Sequence, residues 1–156
     1  MKGRVILLTL AALFVGVTVC LAANPHMGTW KLNETKSKFN PGATKNKTVV
    51  YEPAAGDNVK VTVDGVDGAG NPTHNDWTGK FDGNFYPVAG DPTSDMRSYR
   101  KINNRTLALT AKKDDKVTLT GRIVVSANGR TRTVTTTGTD ANGKKVTNRA
   151  VYDKQR

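Results

Sequence analysis

Three kinds of side chain in this 156-residue chain could carry chemistry: two histidines, one cysteine, and a group of aromatics and arginines. His26 and His74 are far apart, and neither has acidic neighbours at metal-ligand spacing, so they do not read as a metal site. Cys20 sits in an apolar run and follows Val19 rather than a small residue, which argues against lipidation. There is no Gly-x-Ser-x-Gly elbow, no His-Glu-x-x-His pair and no phosphate-cradling glycine loop. In Asp64-Gly65-Val66-Asp67-Gly68 the acids are three apart with no glutamate after them, so the segment reads as a hairpin turn rather than a calcium loop. The expectation is a protein that is not an enzyme and that needs no metal or cofactor.

What remains is the chemistry of binding. Trp77, Phe81, Tyr86, Met96 and Tyr99 are the large side chains of the central segments. Trp77 and Phe81 share a face in an extended run, and Gly79 between them leaves space that a ligand could occupy. The same aromatics could equally fill a core by themselves. Arg132 and Arg149 are the candidates for a charge that orients the guest. Tyr99, flanked by Arg97 and Lys101, is open to a second placement: an outward face, where it would form a basic aromatic patch for an anionic partner.

The elements that must position these residues are strands. Two positive charges, Lys2 and Arg4, precede an apolar run from Val5 to Ala23, and Asn24-Pro25 follows. That layout predicts a cleaved signal over residues 1–22, an exported (periplasmic or secreted) location, and one domain over residues 23–156. Beyond the leader the apolar period is two: Val59, Val61 and Val63 alternate with Lys60, Thr62 and Asp64. Val117, Leu119, Ile123 and Val125 form a second such series, with Gly121 where a bend would be cheapest, and residues 131–139 are mostly threonine and valine.

Turn residues recur between these runs, as in Asp82-Gly83-Asn84, Asn128-Gly129 and Asn142-Gly143. They divide the chain into about ten strands, near residues 28–33, 46–53, 58–66, 72–82, 84–88, 95–102, 105–113, 116–126, 130–139 and 144–154. Connections this short make sequence neighbours sheet neighbours. A meander of that length leaves two aggregation-prone edges, which closure removes. The predicted fold is therefore all-β, an antiparallel up-and-down barrel of about eight to ten strands.

Gly28-Thr29-Trp30-Lys31-Leu32 at the head of the first strand, the strand count, and the ending Val151-Tyr152-Asp153-Lys154 resemble the lipocalin and fatty-acid-binding-protein superfamily. More closely, residues 23–156 are similar to small bacterial exported proteins with a lipocalin-like domain and no assigned activity. The resemblance implies that Trp30 closes a barrel floor and that Arg149 or Arg132 stacks on it. It does not bring over the Arg-x-Tyr carboxylate clamp of fatty-acid-binding proteins, because Arg149 and Tyr152 are three apart and face opposite ways. The loop Glu34 to Lys45 is also too short for the two helices those proteins carry.

The formal charge is +11, to which Lys2 and Arg4 contribute two. The cations fall in nearly every segment rather than in one run, which points away from nucleic acid. Two functions follow as expectations: a monomeric barrel that holds a small amphipathic ligand inside, or an envelope-stress or interaction module whose basic exterior docks onto anionic lipid, polysaccharide or protein.

Overall fold

The computed structural model of the protein describes residues 23–140 and 142–156, so the leader assigned to residues 1–22 lies outside the described residues. Ten strands run in chain order: β1 (Gly28–Leu32), β2 (Lys45–Ala54), β3 (Asn58–Val66), β4 (Pro72–Gly79), β5 (Tyr86–Ala89), β6 (Met96–Asn103), β7 (Thr106–Lys113), β8 (Lys116–Val125), β9 (Thr131–Thr139) and β10 (Lys145–Lys154). Every pairing is antiparallel between sequence neighbours, and β1 also pairs with β10, so the sheet closes into an up-and-down barrel. Trp30 stands at the seam, opposite Lys154 on one side and Val49 on the other.

The turn chemistry explains the short connections. Asp57, Asp114 and Asp115 adopt positive φ of 61°, 49° and 59°, a region that aspartate tolerates better than most residues. Among the described residues, the one helical element is a 3₁₀ turn at Glu34–Lys36, capped by the Asn33 side chain.

The period of two decides what is buried. Val59, Val61 and Val63 on β3, Val49 and Tyr51 on β2, and Ile123 and Val125 on β8 all point inward and join one core. Val117 does not follow its series: it is 56% exposed beside an irregularity in the β7–β8 register at Ala111/Lys112. At Gly121 the register runs unbroken to both neighbouring strands. A Cβ there would lie 2.6 Å from the Thr135 carbonyl oxygen, so the glycine permits close strand packing.

One end of the barrel, the floor, is solid. Trp30, Trp77, Tyr99 and Phe81 meet there, with the Trp77 and Tyr99 rings edge-on at 4.7 Å. The segment before β1 seals it from below: His26 is buried, and its carbonyl accepts the Trp30 indole N–H at 2.9 Å. Buried aromatics of this size contribute about 1.5–3 kcal/mol each through apolar area. The other end, the mouth, carries the loops at residues 39–44 and 90–94, together with Asp140, Asn142 and Lys144.

Candidate ligand-binding site

Above the floor the barrel encloses a cavity of about 1100 Å³. That volume exceeds what most small-molecule sites need, roughly 300–1000 Å³. Its walls are the inward residues of β2, β3 and β6–β10, with Thr73 and Asn75 from β4. The lower part is aromatic and the upper part is amide, hydroxyl and loop backbone.

Two arginines point into this space, and their surroundings differ. Arg97, the second residue of β6, lies nearer the mouth. Both terminal nitrogens of its guanidinium donate to Asn75 Oδ1 at 3.2 Å, and Nη2 also donates to Asp91 Oδ2 at 3.1 Å. Burial alone would push the Asp91 carboxyl up. The Ser94 and Thr93 hydroxyls, the Thr93 N–H and the Arg97 charge outweigh it and hold that carboxyl below the usual range.

Arg132, the second residue of β9, lies next to the floor and is 1% exposed. Its guanidinium carbon sits 5.0 Å from the Trp30 ring centroid, 4.8 Å from that of Tyr51 and 4.9 Å from that of Tyr152. Nε and Nη1 are buried and have no hydrogen-bond partner among the described residues. Burial pushes the Tyr152 phenol up to about 12 and the Tyr51 phenol higher still, so both keep their protons as potential donors at neutral pH. The cage thus holds a cation with π faces, and among the described residues no carboxylate lies at ion-pair distance from it.

No family model matches this chain. No curated protein matches it. Among the solved structures, it is similar to the protein described as EF1p2_mFAP2b bound to DFHBI, at 10% identity and a TM-score of 0.48, over 86% of this chain and 97% of that one. The interior has to be read from its own side chains.

Of the six residues read from the sequence as ligand contacts, Trp77, Phe81, Tyr86, Tyr99, Arg132 and Arg149, the structure brings Tyr99 and Arg132 to the cavity and places the other four elsewhere. Trp77 is buried beneath it, with its indole N–H on the Arg97 carbonyl at 3.0 Å. Phe81 packs edge-on against His26 and Tyr51. Tyr86 stacks edge-on against Trp77, and its hydroxyl donates to Asp82 at 2.8 Å. Its ring also occupies the space left by Gly79, where a Cβ would come within 2.5 Å of it, so no guest fits there. Arg149 is exposed on the outer face and donates to the Lys36 carbonyl at 3.0 Å.

Arg132, not Arg149, is therefore the arginine over Trp30. The outward placement of Tyr99 is also corrected: Tyr99 and Arg97 are both buried, so they form no surface patch. Sequence reading missed Tyr51, Tyr152 and the Asn75–Arg97–Asp91 cluster. For Tyr51 a signal existed, since it alternates with Val49 on β2 as the core valines do on β3.

Proposed function

We propose that the protein is a non-enzymatic, exported, lipocalin-like barrel that carries a small amphipathic anion in its interior. The observation that carries this reading is the buried Arg132 guanidinium at the base of the cavity, with two nitrogens unpartnered. Leaving buried donors unpaired costs about 1–3 kcal/mol, more for a charged group, and an anionic head seated beside Arg132 would recover that cost. The apolar part of the guest would lie along Val49, Val63, Leu109 and Ile123, while Tyr51 and Tyr152 offer hydroxyls near its head.

Titration with 8-anilinonaphthalene-1-sulfonate, an aromatic anion with an environment-sensitive fluorescence, tests the reading. One-to-one uptake is expected, weakened roughly ten- to a hundredfold in Arg132→Met, the worth of a charge-assisted hydrogen bond. Uptake that is absent, or indifferent to Arg132→Met while that variant keeps its strand circular dichroism, overturns it.

A further inference from the structure

The wall of the barrel is charged unevenly, although its cations are spread along the chain. Residues 23–95, which hold β1–β5, have 7 Lys or Arg against 9 Asp or Glu; residues 96–156, which hold β6–β10, have 15 against 4. Those four acids lie off the middle of the β6–β10 face. Asp114, Asp115 and Asp140 are in mouth-end turns, and Asp153 accepts from the Asn33 side chain at 2.7 Å. Among the described residues, the ion pairs of exposed cations all fall on the β1–β5 side, at Lys45, Lys47, Lys60 and His74. Exposed Arg100, Arg105 and Arg122 have no carboxylate at ion-pair distance among the described residues. Even Asp82, whose backbone bridges that of Arg100, gives its carboxylate to Asn84 and Tyr86.

Within this acid-free face, near the floor, lie two of the exposed large aliphatics: Ile102 at 41% and Val124 at 40%. They flank β7, Val124 directly opposite Thr106 and Ile102 beside Asn103, which is paired with the same Thr106. Strand spacing puts them about 10 Å apart. Arg100 and Arg122 stand in the adjoining row, both opposite Ala108, and Arg105 is in the turn between β6 and β7. Next to them a shallow, mostly apolar depression of about 450 Å³ opens between β8 and β9, lined by Arg122, Val124, Thr120, Thr133 and Thr135.

We propose that this outer face of β6–β8, at the floor end, docks on the surface of an anionic lipid bilayer. A soluble polyanion would engage the arginines and leave Ile102 and Val124 in water. A bilayer uses both, because long cationic side chains reach the phosphates while short aliphatics enter the boundary with the acyl chains. Docked in this way, the barrel keeps its mouth free.

Flotation of the full chain with vesicles tests this, using either phosphatidylcholine alone or an equal mixture with phosphatidylglycerol. All variants keep residues 1–22, so any contribution of that segment cancels. Binding to the mixed vesicles is expected to fall roughly fivefold per arginine removed, about a hundredfold in Arg100→Ser/Arg105→Ser/Arg122→Ser. Ile102→Ser/Val124→Ser should lose several-fold at unchanged charge. Lys31→Ser/Lys60→Ser/Lys80→Ser, which removes equal charge from the other side, should stay close to wild type. Dye uptake reports that each variant is folded. Equal loss in both triple variants, or no binding by wild type, overturns the proposal. So does an aliphatic double variant that binds like wild type, which would make the face a site for soluble polyanions.

Discussion

Arg97 and Arg132 are the same residue type in the same interior, yet they are held in opposite ways. Arg97 is matched by Asp91 and Asn75, and the charge is spent on the architecture of the mouth. Arg132 is enclosed by three rings and, among the described residues, has nothing of opposite sign at ion-pair distance. A buried cation that is fully paired serves the fold, whereas one left short of partners is available to a ligand.

The same substitution at both positions should separate the roles. Arg97→Met removes the cation paired with the half-buried Asp91 carboxylate and is expected to destabilise the protein by about 3 kcal/mol in urea unfolding, whereas Arg132→Met leaves stability unchanged or raises it by about 1–4 kcal/mol. Equal losses at the two positions would erase the distinction. A smaller effect is expected at the floor beneath them: Gly79→Ala forces a methyl against Tyr86 and Trp77 and should cost about 1–3 kcal/mol, read as a lowered Tm.

The mildest test uses protons. Burial first, and then the Arg132 charge, lower the His26 pKa to about 4, with Lys101 and Lys154 adding to the effect. The unfolded chain therefore takes up this proton first, and stability should fall as pH drops from about 6.5 to about 4. In Arg132→Met the His26 titration followed by NMR should move up, while in Arg97→Met it should stay. At His74 the sign is reversed, because hydrogen bonds to Asp64 and Asp76 raise its pKa. Its stabilisation is complete below pH 6.5 and is lost as pH rises through the raised value, and His74→Gln should remove that alkaline loss alone.

The strand plan was legible in the sequence because two independent signals agreed on it. Alternation of valines gave the faces, and Asn, Asp and Gly pairs gave the corners, so even the closing of β1 on β10 followed from the need to hide edges. The site was less legible, for a physical reason. Alternation assigns a face only where one set is apolar, and in β6 the sets Arg97-Tyr99-Lys101 and Ser98-Arg100-Ile102 are both mixed. In β9 threonines stand on both faces, so nothing local shows that Arg132 points inward. The ring of Tyr86 filling the gap at Gly79 depends on a contact between β4 and the short β5, which spacing along one strand does not reveal.

The five residues of β1 bond to the second strand and to the tenth at once. Closure of the ring must therefore wait for β10 to be synthesised. Until then the nascent polypeptide is an incomplete ribbon with both margins unsatisfied, a form vulnerable to pairing with other chains if it lingers. A chain cut short before Lys145 would stay in that unfinished condition, with the indole of Trp30 lacking a wall.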